Sequence, residues 1–216
     1  MEEENPELQR FRGIISKGFE PYLEHYLKYE DGELNQTFSE LSTDNSLDER
    51  NKILSSSEVM FERFKSSINT CTSLTVDKPF FDLFKLFKKY INLYADILLS
   101  RFPPDGKQLS PLQEKIICFT VNTSDYCTAT IEKLETFIKK KIIENRKDSV
   151  EFVKELENFS GVAAKGLFYF IFFFKFIIFI LFLFIYLNLF IYFFFFYIFL
   201  FFKSFYFIFI FKNFFF

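Results

Sequence analysis

The stretch that decides the fold is Asp77-Lys-Pro-Phe-Phe-Asp-Leu-Phe-Lys-Leu-Phe-Lys-Lys-Tyr-Ile-Asn-Leu-Tyr-Ala-Asp-Ile-Leu-Leu-Ser-Arg-Phe102. Phe80, Phe84, Phe87, Ile91, Tyr94 and Leu98 recur at steps of 4, 3, 4, 3 and 4, which places them on one face of an α-helix. Leu83, Leu86, Tyr90, Leu93 and Ile97 widen that stripe, and Asp82, Lys85, Lys88, Lys89, Asn92 and Asp96 take the opposite face. Pro79 falls in the first turn, where a missing N–H costs little. Pro103-Pro104-Asp105-Gly106 stops the helix and turns the chain.

Working outward, the next helix has an explicit start. Ser110 caps, Pro111 fits the first helical position and Gln113 completes a capping box. Its apolar line runs through Ile116, Ile117, Cys127, Ile131, Leu134, Phe137, Ile138 and Ile142, and predicts a helix from Pro111 to near Asn145. Upstream, Ser46 with Glu49 reads as another capping box, opening a helix that reaches Thr72 through Ile53, Val59, Met60, Phe64 and Ile68. Leu8 to Leu41 reads as one or two helices disturbed at Gly18 and Pro21. Ser149 to Ala164 begins a fifth, which the tail interrupts. No useful strand alternation occurs, and strict heptads are not sustained. The expectation is all-α: an elongated bundle or rod of about five amphipathic helices.

The chain divides by composition. Of 216 residues 38 are Phe, and 24 of them fall among the 50 residues from Leu167 to Phe216. The expected division is a helical segment over 1–165 and a low-complexity apolar tail over 166–216. The tail holds three charges, Lys175, Lys203 and Lys212, so the first 166 residues carry 23 Lys+Arg against 28 Asp+Glu. That mildly acidic balance gives no footprint for nucleic acid. The start, Met1-Glu-Glu-Glu-Asn, is acidic with no apolar run behind it, so no secretory signal is expected there.

Two readings of the tail stand side by side. From Phe176 to Phe202, 27 residues include Asn188 as the one clearly polar side chain, and about 20 apolar residues suffice to cross a bilayer as a helix. Lys139, Lys140, Lys141, Arg146 and Lys147 upstream would favour a cytosolic front half. Against this, Leu167 to Phe216 uses only Phe, Leu, Ile, Tyr, Lys, Asn and Ser. The first six are the amino acids encodable by codons of A and T alone. Val, Ala, Gly, Met and Thr are missing, although natural spans use small residues to pack. This composition points to translated A/T-rich non-coding sequence, a retained intron entered near Lys165-Gly166.

Catalytic chemistry finds little purchase. His25 is the one histidine and lies between Tyr22 and Tyr26, so neither a Ser-His-Asp nor a Cys-His arrangement nor a histidine metal cluster has a second member. Cys71, Cys118 and Cys127 make no CxxC and read as reduced thiols. The glycines form no phosphate-binding loop, and Gly161-Val-Ala-Ala-Lys165-Gly166 lacks the loop spacing. Carboxylates such as Glu2-Glu3-Glu4 and Asp48-Glu49 fall on termini and solvent faces, and Lys139-Lys140-Lys141 suits a helix C-terminus. Three sequons begin at Asn35, Asn122 and Asn158. The second and third fall inside predicted helices, which disfavours glycans. The expectation is a protein that is not an enzyme and takes no cofactor or metal.

Three stretches carry a resemblance. They are Phe11-Arg-Gly-Ile-Ile-Ser-Lys-Gly-Phe-Glu-Pro-Tyr-Leu23, with Phe19, Glu20 and Pro21; Phe81 to Ser100, with Tyr90 and Tyr94; and Ile116 to Glu135. The last contains Asn122-Thr-Ser-Asp-Tyr-Cys-Thr-Ala-Thr130, with Tyr126, Cys127, Ala129 and Thr130. Together they resemble the vacuolar protein sorting-associated protein 53 family, a subunit of the Golgi-associated retrograde protein (GARP) tethering complex, over roughly Pro6 to Lys165. The resemblance implies a helical-rod middle fragment of a vesicle tether for retrograde transport from endosomes to the trans-Golgi network and for endosomal recycling. Implied partners are the other subunits, SNARE proteins and small GTPases through the complex, and the membrane surface. The implied location is the cytosolic face of trans-Golgi and endosome membranes. The marked residues are structural markers, and Tyr126 is expected to act through core contacts. The competing reading is an integral membrane protein anchored by 176–202, bounded by Phe176 and Phe202 around Asn188, with a cytosolic helical domain.

Overall fold

A computed structural model describes residue 18, residues 22–104 and residues 109–215. The fold is all-α, as the periodicities predict. Helix α1 spans Leu23–Thr43, α2 Ser55–Leu74, α3 Lys78–Ser100, α4 Pro111–Lys141 and α5 Val153–Phe215. A two-residue β-pair, β1 (Leu47–Asp48) and β2 (Ile53–Leu54), lies between α1 and α2. Its strands are antiparallel, with Leu47 opposite Leu54 and Asp48 opposite Ile53. A 3-10 turn, Glu144–Ser149, links α4 to α5. By compactness the chain forms two units, Met1–Leu167 and Phe168–Phe216.

Helix α3 is the axis of the first unit. All six residues of its quoted stripe are 0–2% exposed. Phe64 of α2 meets Phe87 at a ring separation of 4.5 Å, and Phe38 of α1 meets Tyr90 at 4.8 Å and Tyr94 at 6.4 Å. Phe152, ahead of α5, meets Phe84 edge-on at 5.1 Å. Such pairs add to the area each ring buries, by roughly 0.5–1.5 kcal/mol apiece. Leu93, expected in the stripe, is exposed, because it sits at its very edge.

Helix α4 begins as its sequence predicts. Ser110 Oγ accepts from Gln113 N–H at 3.3 Å, and Gln113 Oε1 accepts from Ser110 N–H at 2.9 Å. It ends at Lys141, a few residues before the expected Asn145, where Ile142 turns extended and is buried.

Three expectations are corrected. Ser46 does not cap a helix. Asp44 captures it, accepting its N–H and its hydroxyl at 2.8 Å each, while Asp48 accepts Arg50 N–H at 2.9 Å. These local side-chain bonds outcompete helix initiation. The chain turns through Lys52, at φ 58°, into β2, and the helix waits until Ser55. The left-handed backbone at Lys52 costs about 1 kcal/mol that glycine would not incur. The fifth helix likewise starts at Val153 rather than Ser149, since Glu144–Ser149 is a 3-10 turn. Nor does the tail interrupt it, because Phe, Leu and Ile all sustain helix. Of the expected helical segment Leu8 to Leu41, helix α1 supplies the part from Leu23 onward, and residues 8–17 and 19–21 lie outside the described residues.

At the end of the first unit α5 approaches α4 closely. A Cβ at Gly166 would collide with Val121 Cγ2 and touch the Phe102 ring. Glycine is therefore needed there for proximity. The second unit is helical from Phe168 to Phe215. Within it Ile177–Phe201 forms a 25-residue apolar run of mean hydropathy 2.7 with none of it buried.

Candidate functional site

The residues singled out in the sequence separate into four groups. Tyr90, Tyr94 and Cys127 are fully buried. Tyr126 is half-buried and Ala129 is exposed. Phe19, Glu20 and Pro21 lie outside the described residues. Phe176 and Phe202 take helical backbone positions in α5, whereas Asn188 has a described side chain.

The run Asn122–Thr130 is a junction. Thr123 Oγ1 accepts the N–H of Leu54 at 2.8 Å and donates to Phe119 O at 2.6 Å. Asn122 Nδ2 donates to Lys52 O at 3.1 Å. Those two bonds fasten the β-pair to α4. One residue on, Ser124 Oγ donates to Phe159 O of α5 at 2.6 Å. Small hydroxylated side chains at 120, 123 and 124 are all buried, and they let backbones approach while still supplying partners to buried polar groups. Cys127 continues the same face into the core, where burial pushes its thiol well up. Tyr126 instead packs edge-on against Phe61 at 6.0 Å, and Thr130 donates to the Tyr126 carbonyl at 2.7 Å.

Polar bonds also tie α3 to α1, α2 and α5. Tyr90 donates to Asp31 Oδ1 at 2.6 Å. Lys89 lies 2.8 Å from the same carboxylate. The Lys89 and Tyr90 hydrogen bonds hold the Asp31 carboxyl below its usual range. Tyr94 and Ser56 share a buried hydroxyl pair at 2.7 Å. Glu155, 1% exposed, accepts from Asn92 Nδ2 at 3.0 Å and lies 3.4 Å from Lys88 Nζ. Asn158 Nδ2 donates in turn to Asn92 Oδ1 at 2.7 Å. Between α1 and α2, Glu30 takes Arg63 at 2.8 Å and Ser67 at 2.7 Å. Arg101 closes the C-terminal end of α1 through Asp44 O at 2.6 Å and Asn45 Oδ1 at 2.5 Å.

Glu30, Glu155, Ser56 and Ser67 are structural residues that the sequence expectations above do not include. A signal was present, since each falls in phase with the apolar stripe of its helix. Glu30 lies between Leu23, Leu34, Phe38 and Leu41, all buried. A charged residue in an apolar phase must find partners when it is buried.

No arrangement among the described residues gathers three His, Cys, Asp or Glu side chains in reach of one ion. His25 is exposed on α1. Cys71, Cys118 and Cys127 are free thiols, Cys118 exposed and the other two buried. Burial moves the Cys71 thiol up to about 12, with the Glu30 carboxylate adding to the shift.

Over 174 residues the chain is 30% identical to vacuolar protein sorting-associated protein 53 A of Arabidopsis thaliana, covering 73% of this chain and 21% of that protein. Over 162 residues it is 25% identical to vacuolar protein sorting-associated protein 53 of Saccharomyces cerevisiae, covering 70% and 20%. The chain thus spans about a fifth of the length of these curated relatives. No family model matches it, and no solved structure does.

Proposed function

We propose, from the premise that the chain belongs to the vacuolar protein sorting-associated protein 53 family, that its first unit is a non-catalytic module of a vesicle-tethering assembly. The transport step is retrograde, from endosomes to the trans-Golgi network, with a parallel role in endosomal recycling. Its partners are the other subunits of a GARP-type tether and, through them, SNARE proteins and small GTPases. It works on the cytosolic face of those membranes. Residues 1–165 form the module and 166–216 a separate apolar tail. Tyr90, Tyr94, Tyr126, Cys127, Ala129 and Thr130 mark the family through structure, without a reaction.

The observation that carries this reading is the use made of Asn122–Thr130. The most specific family-like run in the chain spends its polar groups on joining the β-pair, α4 and α5. Such a unit offers helix surfaces to protein partners. The test is co-precipitation of the tagged full chain with the other tether subunits. Stoichiometric recovery supports the proposal. Recovery of the chain alone, under conditions that keep the tether assembled, overturns it.

A second reading rests on the exposed apolar run Ile177–Phe201. In it the protein is integral to a membrane, anchored by 176–202. Resistance to alkaline carbonate extraction separates an anchored chain from a peripheral one. Sequencing the mature transcript across Lys165 separates both from intron-derived code: a spliced message that continues past Lys165 into mixed-composition sequence removes the tail, and one that reads into Leu167 keeps it.

A further inference from the structure

We propose that Ile177–Phe201 pairs, inside a bilayer, with the same helix of a second copy of this chain, through reciprocal hydrogen bonds between the two Asn188 amides. This rests on the membrane-anchored reading above. A primary amide carries two N–H donors and a carbonyl oxygen with two acceptor sites. In Asn188 one N–H donates to Phe184 O at 2.8 Å. No other described group meets its second N–H or its Oδ1.

Depth makes those unmet sites decisive. Asn188 lies 11 residues after Ile177 and 13 before Phe201, roughly 16 and 20 Å along a helix axis. That is near mid-bilayer, and the short asparagine side chain cannot reach either interface. In hydrocarbon an unpaired polar group is costly, so helices associate to satisfy it. An amide is complementary to itself. A two-fold axis between parallel copies lets each N–H meet the other copy's Oδ1.

The flanking residues suit that axis. Leu181, Phe184, Asn188, Ile191 and Phe195 recur at steps of 3, 4, 3 and 4, the seam of a left-handed two-helix pair. The four apolar members are all exposed. In a run so uniformly apolar any face could touch another, and Asn188 selects this one. A single asparagine at such a core position also fixes the register of the pair.

The experiment uses the full chain in phosphatidylcholine vesicles, labelled with donor or acceptor dye at the exposed Cys118. Energy transfer is followed as lipid dilutes the protein, and carbonate extraction is run on the same samples. The expected result is saturable transfer. Asn188→Leu raises the apparent dissociation constant about 3- to 30-fold, while Asn188→Gln stays near wild type. Asn188→Leu that resists carbonate yet associates as tightly as wild type overturns the pairing. Wild-type chain released by carbonate defeats the spanning reading itself, and the pairing with it.

Discussion

Helix α3 and the run Ile177–Phe201 are both helices crowded with phenylalanine, and they put it to opposite uses. In α3, Phe80, Phe84 and Phe87 are 0–2% exposed, whereas Phe182, Phe190 and Phe193 of the tail are 63–72% exposed. The difference lies in the neighbours. The α3 phenylalanines keep a helical phase, with lysines, aspartates and an asparagine filling the other face. The tail has no polar face, so hydropathy alone singles out no side for burial. Phase, more than hydrophobicity, decides which aromatic helix joins a protein core.

The comparison breaks most sharply under identical cuts. Phe87→Ala should cost the first unit about 3–5 kcal/mol, because it leaves a cavity beside Phe64. Phe193→Ala should move the same thermal transition by less than about 0.5 kcal/mol. Equal shifts in a calorimetric melt of the full chain would erase the distinction.

Next comes the junction. Thr123→Val keeps shape but strands the buried N–H of Leu54, at about 1–3 kcal/mol. Its signature is loss of hydrogen-exchange protection at Leu54 before the α3 amides change. Uniform loss across both would show that the β-pair is not a separate latch.

Tyr126→Ala should cost less than a buried aromatic would, about 1–2 kcal/mol, since the ring is only half-buried against Phe61. A urea midpoint shifted as far as that of Phe87→Ala would place Tyr126 in the core after all.

The thiols sharpen the contrast within the first unit itself. Iodoacetamide at pH 8 should label Cys118 and spare Cys71 and Cys127 until unfolding. Both buried thiols stay protonated in the fold at a pH where the unfolded chain releases their protons. The unfolded state then binds fewer protons, so stability falls as pH rises above about 9, by up to about 1.4 kcal/mol per pH unit for each thiol. For Cys71 this continues toward about 12, where the folded thiol also ionises. A flat stability profile between pH 9 and 11 would contradict the burial.

Much of the fold was legible in residues. The α3 stripe and the Ser110–Gln113 cap follow from spacing alone, as does the α4 face except at Phe137, expected in the apolar line and exposed. The β-pair was not, because Ser46-Leu-Asp-Glu49 spells a helix cap equally well and only Asp44, two residues earlier, decides against it. The start of α5 was missed for a related reason. Phe152 N–H binds Glu135 Oε2 at 3.1 Å, 17 residues away, and local spacing carries no record of such a partner. Within Asn122–Thr130, Cys127 announced its burial by phase. Thr123 and Ser124 did not, since small hydroxylated residues suit a surface as well as a close helix contact.

Asn122 and Ser124 also bear on the compartment in which the chain can mature. A glycosyl transfer needs its acceptor sequon extended and open. Here the Asn122 amide holds the Lys52 carbonyl, and the Ser124 hydroxyl is sealed against Phe159. At the second helical sequon the Asn158 amide is engaged with Asn92. These bonds, and the helical backbone that carries them, disfavour sugar attachment once the first unit has closed. A glycan found on either asparagine would record a molecule that met the luminal machinery before it folded.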